Sequence, residues 1–569
     1  MTYQAPLRDM QFYMREVLDV QRLAATERFS EASPEMTDAI LAEAARMSEE
    51  VLAPLNRAGD TQPACLENGV VRTSPGFADG YRAIASGGWV GMAADPQHGG
   101  LGLPLVLTSC VGEMMASACL SLSLNPLMTQ GQIEALEHHA SAELQALYLP
   151  KLISGDWTGT MNLTEPQAGS DVGALRTKAE DAGDGTYRIT GQKIYISWGD
   201  HDMAENVCHL VLARRPEAGP GTKGISLFLV PKYLPDPAGR PGVANSLRVI
   251  SLEHKMGLHG SPTAVMSYEG ATGWLIGPPE GGMAAMFTMM NNARLGVGVQ
   301  GLAQAEAAYQ AALAYARERK QGRTAPGGTG AIVDHADVRR MLMTMKALTA
   351  ISRAICLDTA LSLDMARAGG DAAATWAARG ALLTPIAKGF GTDAGCRVAE
   401  LGVQVHGGMG YIEETGAAQF YRDVRVTAIY EGTNGIQAMD LVARKLADGG
   451  AAARGLLDEV RATVVAAGDD PLASGLADAA ATLAEMLDWM LSADLQDRFA
   501  GAQPYLRAFG LVLGGHYLLK AALADSGAER RPLAQFMIRQ ILPEVQALAA
   551  AAQAGAGDLY ALDAEALGA

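Results

Sequence analysis

The chain has 569 residues, 49% of them hydrophobic, and a formal net charge of −17 at pH 7. This length is too great for one hydrophobic core and predicts about three or four domains, at roughly 150 residues per domain. The acidic balance argues against binding to nucleic acid, which requires a positively charged surface, and against docking on anionic lipid.

The N-terminus has no basic segment followed by an apolar run, so no export signal is expected. No segment is expected to approach the ~18 apolar residues of a membrane-spanning helix. The six cysteines have no C-x-x-C spacing, which favours free thiols in a reducing compartment. The sequence therefore predicts a cytoplasmic protein without a membrane contact.

Residues 1–157 are predicted to form an N-terminal helical domain. Apolar residues at three- and four-residue spacing predict a helix over 34–53, which Ser33 caps and Pro54 ends. A second helix, rich in small residues, is predicted around 107–122.

Residues 158–282 are predicted to form a middle β domain. The segments 186–190 and 193–197 are predicted to be the strands of a hairpin with a turn at Gly191 and Gln192. Short strands without helices between them favour an antiparallel barrel or sandwich over a Rossmann sheet.

Residues 283–447 return to a helical pattern. Long helices are predicted over 295–319, 336–368 and 372–402, and helices of this length with short connections are typical of a bundle. Residues 448–569, rich in Ala and Leu, are predicted to be an additional helical extension. The predicted fold class is mainly α with a central β domain.

Gly296, Gly298 and Gly301 match the pattern G-x-G-x-x-G. A dinucleotide-binding turn requires a strand before this pattern, and here the preceding and following residues continue a helix. We therefore expect a helix face on which another helix or a flat group packs closely.

Two loops could contact a ligand. Residues 163–171 combine free backbone N–H groups with hydroxyls and carboxylates, which suits the edge of a heteroaromatic ring, although an ordinary surface loop has the same composition. The glycine-rich residues 404–411 could meet a phosphate or ribose. Within them, His406 is either a general base or a structural residue.

Basic residues occur at two helix positions. The run 317–323 ends a predicted helix, where it could complement the helix dipole on a solvated face or grip a pyrophosphate. Arg294 precedes the small-residue face and could hold a phosphate or carbonyl, or pair within the bundle. No spacing of His, Cys, Asp or Glu suggests a metal site.

Residues 430–434 place Glu431 beside Gly432 and the hydroxyl of Thr433, after an apolar approach. Burial in such surroundings disfavours the charged carboxylate and makes it a stronger base. Glu431 is either buried by accident or held dry in order to take a proton from carbon.

In combination and in this order, over residues 80–447, these motifs resemble the acyl-CoA dehydrogenase family. The matching segments are 99–102, 163–171, 191–197, 317–320, 404–411 and 430–433. The resemblance implies an N-terminal helical domain, a β domain and a four-helix bundle. It also implies FAD as cofactor, an acyl-CoA substrate, an electron-transfer flavoprotein as electron acceptor, and a homo-oligomer that is a dimer or a tetramer.

The resemblance also assigns residue roles. Glu431 matches the catalytic base, and Arg319 matches a position that often grips FAD across a subunit boundary. The positions that match FAD contacts are Leu163, Thr164, Ser170, Ser197, Arg319, Gln404, Gly408 and Thr433. The positions that match substrate contacts are Ser170, Arg294, Tyr430 and Gly432.

Some residues depart from the family pattern. Tyr195 stands where many members have Trp beside the flavin, and Gln167 replaces a usual Gly. The extension 448–569 and the opening residues 9–18 resemble the branch that includes bacterial 3-(methylthio)propanoyl-CoA dehydrogenases. We expect that substrate, with a general short- or medium-chain acyl-CoA dehydrogenase and an acyl-CoA oxidase as alternatives. A DNA-binding alkylation-response flavoprotein shares the fold, but the net charge argues against it.

Overall fold

Helices occupy both ends of the chain and strands occupy its middle. The computed structural model describes residues 3–324, 326–525, 527 and 529–568, without the side chain of residue 291. The first part of the chain contains the elements α1 Leu7–Phe12, α2 Pro34–Met47, α3 Leu55–Thr61, β1 Cys65–Glu67, β2 Val70–Arg72, α4 Phe77–Ser86, α5 Leu105–His139 and α6 Ala142–Ser154.

The two helices predicted in this part are present. Ser33 caps α2 by accepting a hydrogen bond from the Met36 N–H at 3.2 Å, and a wider turn over Ser48–Leu52 continues the helix until Pro54, as predicted. Helix α5 is much longer than the sequence indicated. The expectation that no segment approaches a membrane span in length is wrong for α5, which is long and apolar enough, yet 89% of its apolar window is buried inside the protein.

The middle part of the chain is a β domain built on one large sheet. Its strands are β3 Trp157–Asn162, β4 Lys178–Asp181, β5 Tyr187–Ser197, β6 Asn206–Ala213, β7 Ser226–Pro231, β8 Tyr233–Pro235, β9 Pro241–Ala244, β10 Leu247–Leu252 and β11 Thr263–Ile276. The strand order is β3-β6-β7-β11-β5-β4, and β10 pairs with β11. Every pair in it is antiparallel except β3 with β6.

The predicted hairpin at Gly191 is wrong, because β5 runs through this position without a turn. Gly191 pairs with Tyr268 of β11 in the continuous ladder. A Cβ at Gly191 would lie 2.5 Å from the Thr177 hydroxyl oxygen. The glycine is therefore needed because a neighbouring segment approaches the strand closely.

The remainder of the chain is helical, as predicted. Its helices are α7 Gly282–Glu318, α8 Ala336–Ala368, α9 Ala373–His406, α10 Ala417–Val424, α11 Asn434–Asp440, α12 Ala451–Ala467, α13 Ala473–Ser492, α14 Leu495–Ala524, α15 Arg530–Phe536 and α16 Glu544–Gln553. Helices α5, α7, α8 and α9 pack against one another and form the central bundle.

The glycine pattern at 296–301 lies inside α7, and it is a helix-packing face as predicted. A Cβ at Gly298 would lie 2.7 Å from the Ala387 carbonyl oxygen of α9, and one at Gly301 would lie 2.5 Å from the Gly391 carbonyl oxygen. The backbones of α7 and α9 therefore touch. This contact brings Arg294 of α7 and Lys388 of α9 close enough for their charges to interact.

The C-terminal extension packs on the outside of the bundle through α14. A Cβ at Gly510 would overlap the Phe390 ring of α9, and one at Gly514 would overlap Ile351 of α8. The Tyr517 hydroxyl donates a hydrogen bond to the buried Asp358 carboxylate of α8. These contacts make the extension an integral layer of the bundle.

Candidate active site

Glu431 lies in a strained turn between a short helical turn, Arg425–Ala428, and α11. Its φ is 57° and that of Gly432 is 81°, so both residues are left-handed. This conformation is uncommon for a residue with a side chain and tends to be retained at functional sites. Thr433 then caps α11, because its hydroxyl accepts a hydrogen bond from the Ile436 N–H at 3.3 Å.

Glu431 is half-buried, and one oxygen of its carboxyl group is shielded from water. Its Oε2 atom is buried and makes no hydrogen bond within the described ranges. Burial raises the pKa of Glu431 to about 7, and the positive charges of Arg294 and Lys388 oppose that rise. A carboxylate with this pKa can take up a proton near neutral pH, which is the property of a general base.

Arg294 is buried on the same side of the bundle. It is 6% exposed, and its Nη1 lies 3.5 Å from Asp440 Oδ2 of α11. Its Nε is buried without a hydrogen-bond partner within the described ranges. Arg294 therefore pairs within the bundle and keeps one donor uncommitted.

A small cavity is connected by one hydrogen bond to Tyr430, the residue before the base. The Tyr430 hydroxyl donates a hydrogen bond to Gln300 Oε1, and Gln300 lines this cavity, which has about 60 Å³ of space between α5 and α7. Other lining residues are Gly112, Met115, Ser123, Leu295 and Val299. A short chain of a few apolar atoms matches this lining.

A larger cavity of about 470 Å³ lies elsewhere, between residues 63–66 and residues 250–263. None of the site residues predicted from the sequence lines it.

A buried ion pair with strand β5 fixes the loop 163–171. Glu165 Oε1 lies 2.8 Å from Lys193 Nζ of β5 and accepts a hydrogen bond from the Thr177 hydroxyl at 2.6 Å. The burial of Glu165 is outweighed by Lys193 and by these hydrogen bonds, which lower its pKa to about 2. The carboxylate of Glu165 is therefore engaged by other groups of the protein.

Lys193 and the next residue of β5 position two predicted flavin contacts. Lys193 Nζ donates to the Leu163 carbonyl oxygen at 2.9 Å, and the Ile194 N–H donates to the Thr164 carbonyl oxygen at 2.9 Å. Sequence reasoning missed this role of Lys193, because nothing in the local pattern marks a lysine as buried. The hydroxyl of Ser170, by contrast, belongs to an exposed residue.

Strand β5 ends in a bulge that turns Tyr195 outwards. Lys193 pairs with Met266 and Ile196 pairs with Ala264, so two residues of β5 oppose one residue of β11. Tyr195 has φ of 60° and its side chain is 61% exposed. Bulges of this kind re-aim side chains next to active sites, and the half-buried Ser197 follows directly.

Arg319, Gln404 and Gly408 lie together at the far end of α7 and α9. The ring of Tyr315 stacks on His406 at 4.4 Å between centroids, which joins these two helix ends. All three predicted FAD contacts are exposed there. At 1.5 Å per residue, Arg319 stands about 37 Å along the helix from Arg294. The structure therefore does not bring these three residues to Glu431 within one chain.

The contacts of His406 favour the structural alternative for this residue over the general base. Its Nδ1 donates to the Gly402 carbonyl oxygen at 2.7 Å, and its ring stacks on Tyr315. Burial lowers its pKa, so it is neutral at physiological pH.

The described part of the chain contains no group of three His, Cys, Asp or Glu residues that could hold a metal ion. Its six cysteines are all free thiols.

Four models of protein families match successive parts of the chain. They are the acyl-CoA dehydrogenase N-terminal domain at residues 34–156, the middle domain at 160–271, the C-terminal domain at 280–446, and the acetyl-CoA dehydrogenase C-terminal-like domain at 456–563.

Individual proteins give the same result. A 3-methylmercaptopropionyl-CoA dehydrogenase from Ruegeria pomeroyi is 46% identical over 92% of this chain and 91% of its own. A broad-specificity linear acyl-CoA dehydrogenase from Mycobacterium tuberculosis is 36% identical over 78% of this chain and 75% of its own. The solved structure of Caenorhabditis elegans ACDH-11 has the same fold, with a TM-score of 0.77, 20% identity and coverage of 96% of this chain and 94% of its own. The chain is an oxidoreductase that acts on acyl-CoA, and it belongs to the acyl-CoA dehydrogenase family.

Proposed function

We propose that this enzyme converts 3-(methylthio)propanoyl-CoA to 3-(methylthio)acryloyl-CoA by removing one hydrogen from the α carbon and one from the β carbon. The observation that carries the proposal is the buried, unpartnered Oε2 of Glu431, whose neighbour Tyr430 is hydrogen-bonded to the wall of a cavity of about 60 Å³. The similarity to the Ruegeria pomeroyi enzyme supports the choice of acyl group.

Glu431 would take the proton from the α carbon. Such a C–H group is a very weak acid, so its removal needs a carboxylate that is close, dry and of nearly neutral pKa. The pKa of about 7 at Glu431 meets this requirement. After the transfer the carboxyl group is neutral, and its surroundings, which have no partner for Oε2, favour that form.

The backbone N–H of Glu431 would bind the thioester oxygen and stabilise the negative charge that develops there. Arg294 and Lys388 act on the base itself, because their positive charges favour its ionised form before the reaction. Tyr430, bonded to Gln300, would fix the wall of the acyl cavity next to the base.

The family is FAD-dependent, and the residues of this chain fit that cofactor. Leu163 and Thr164, whose carbonyl groups are bonded to Lys193 and Ile194, would face the flavin ring, with Ser197, Ser170 and Thr433 nearby. Arg319, Gln404 and Gly408 are exposed, and a Cβ at Gly408 would meet nothing within 4 Å, so this helix end has room for a nucleotide. Bound FAD supplies the two-electron acceptor that takes the β hydrogen as hydride.

Because Arg319, Gln404 and Gly408 stand far from Glu431 in one chain, we propose that they complete the cofactor site of a second copy in a homodimer or tetramer. We also propose a cytoplasmic location and an electron-transfer flavoprotein as the electron acceptor. Light scattering on the purified protein tests the assembly, and a monomer that retains FAD would contradict it.

A panel of acyl-CoA thioesters with a ferrocenium acceptor tests the substrate. The expected result is the highest kcat/KM with 3-(methylthio)propanoyl-CoA. A clear preference for butanoyl-CoA would overturn the proposed acyl group and favour a short-chain fatty acyl-CoA dehydrogenase, as a butyryl-CoA dehydrogenase from Syntrophomonas wolfei is 37% identical over 78% of this chain. Stoichiometric peroxide release without the artificial acceptor would instead identify an oxidase.

A further inference from the structure

Lys388 of α9 is completely buried, although it carries an amino group. Its Nζ donates to the Gly432 carbonyl oxygen at 2.9 Å and to Asn434 Oδ1 at 2.9 Å. The first acceptor belongs to the turn that carries Glu431, and the second is the first residue of α11, directly after that turn. An ammonium group is removed from water only at considerable cost, so two well-placed acceptors in and directly after this turn indicate a specific role.

Further hydrogen bonds join the same turn to α9 and α11. Asn434 Nδ2 donates to Asp393 Oδ1 at 2.7 Å and to the Gly389 carbonyl oxygen at 3.2 Å. From α11, Gln437 Nε2 donates to the Glu431 carbonyl oxygen at 3.0 Å. We call Lys388, Asp393, Asn434 and Gln437 the base cradle. Together they hold Glu431 and Gly432 in their left-handed conformation.

The charges around the turn come from three helices. Arg294 of α7 and Lys388 of α9 both favour the ionised form of Glu431. Arg294 is already balanced by Asp440 of α11, which also pairs with Arg444.

The hydrogen-bond acceptors of Lys388 are neutral. Glu431 and Asp393 act on Lys388 as nearby negative charges, and Arg294 opposes them as a positive one; the Cys396 thiol also faces it. Lys388 is therefore the second positive charge, after Arg294, that favours the ionised form of Glu431, and it alone of the two also bonds to the turn.

We propose that Lys388 is a positioning residue for the dehydrogenation, a role that rests on Glu431 being the base. It fixes the turn that aims the Glu431 carboxylate, and its charge favours the ionised form of that carboxylate. It touches neither substrate nor reacting atoms.

The test compares Lys388→Met, which removes the charge and both hydrogen bonds, with Lys388→Arg, which keeps the charge. The measurement is the single-turnover rate of flavin reduction as a function of pH. In Lys388→Met the acid limb of this profile is expected to move up by about one pH unit, as for the loss of a nearby opposite charge. In Lys388→Arg the limb is expected to stay near the wild-type position. An unmoved limb in Lys388→Met would overturn the electrostatic role.

Hydrogen exchange of the cofactor-free protein gives a second readout that needs no activity. Faster exchange is expected in residues 430–437 of Lys388→Met, and also of Asn434→Ala, which breaks the cradle but retains the lysine. Unchanged exchange in both variants would overturn the positioning role. If Lys388→Met does not fold, Asn434→Ala alone decides this point.

The variant Glu431→Gln distinguishes an error in the assignment of the base from an error in the role of Lys388. If that variant still reduces the flavin at the wild-type rate, the proposed function is wrong whatever Lys388 does. If Glu431→Gln is inactive and Lys388→Met is indistinguishable from wild type, only the role of Lys388 is wrong.

Discussion

Leu506 of the C-terminal extension packs on Gly389, the residue that follows Lys388 in α9. A Cβ at Gly389 would come within 2.9 Å of Leu506 Cδ1. One turn away on α14, Gln503 Nε2 donates to Asp393 Oδ2 at 3.3 Å. Helix α14 is therefore the outer wall behind the base cradle, which gives the extension a direct connection to the active site.

This wall predicts that Leu506→Ala impairs both stability and catalysis. The cavity left behind Gly389 should cost about 2–5 kcal/mol of unfolding free energy and should lower kcat with little change in KM. Urea unfolding and steady-state kinetics measure the two effects. Leu483→Ala in α13 is the matched control, because Leu483 is equally buried while α13 packs on α12, α14 and α16. Equal losses of kcat in both variants would contradict a specific role of the wall.

The raised pKa of Glu431 predicts that kcat/KM increases as the pH rises through about 7, where the base of the free enzyme loses its proton. Glu431→Gln should bind FAD and acyl-CoA but lose dehydrogenation, which stopped-flow bleaching of the flavin measures. Bleaching near the wild-type rate would exclude Glu431 as the base.

The same shift predicts a pH-dependent stability difference. The folded state keeps the Glu431 proton up to about pH 7, whereas an unperturbed carboxyl loses it near 4.5. Wild type therefore loses stability relative to Glu431→Gln as the pH rises from 4.5 to 7. Urea unfolding of the cofactor-free proteins should find Glu431→Gln more stable by on the order of 2 kcal/mol at pH 8 and nearly equal at pH 4. A difference that does not change with pH would contradict the burial of this carboxyl.

The Glu165–Lys193 pair predicts a large effect of Lys193→Met. Removal of the lysine leaves the Glu165 carboxylate buried without its cation, which should cost about 3–5 kcal/mol. Glu165→Gln in the Lys193→Met background should restore part of the loss, since the unpaired charge is then gone. Lys151→Met, at a half-exposed surface pair with Asp156, should change stability by less than about 1 kcal/mol. A loss at Lys193 no greater than this control would show that the pair does not fix the loop.

The small acyl cavity predicts that Gly112→Val narrows the substrate range. A Cβ at Gly112 would lie 3.9 Å from Val299, so the new side chain fits but occupies the cavity. We expect kcat/KM for hexanoyl-CoA to fall about tenfold or more relative to propanoyl-CoA. Gly455→Val, at an open position of α12, is the control for valine in a helix. Equal losses for both thioesters would place the acyl chain elsewhere.

The motifs around Glu431 and the change from helices to strands were sufficient to predict the fold class and the family. The interior of the site was not predictable in the same way. Lys193 and Lys388 are buried by contacts with segments distant in sequence, and a lysine in a local pattern resembles any surface lysine. Gly191 was assigned to a turn because a glycine between two apolar stretches fits either a turn or a continuous strand. The close approach of Thr177, which explains a glycine inside a strand, is not visible in the sequence.

The predicted cofactor ligands fall into two groups, one on the β domain and at Thr433, the other at the end of α7 and α9 that lies about 37 Å along α7 from Arg294. If they grip a single FAD molecule, they belong to different copies of the chain, and cofactor retention is then linked to association by mass action. Dilution below the dissociation constant of the assembly would separate the subunits and release FAD from them. Excess FAD, in turn, would hold the copies together.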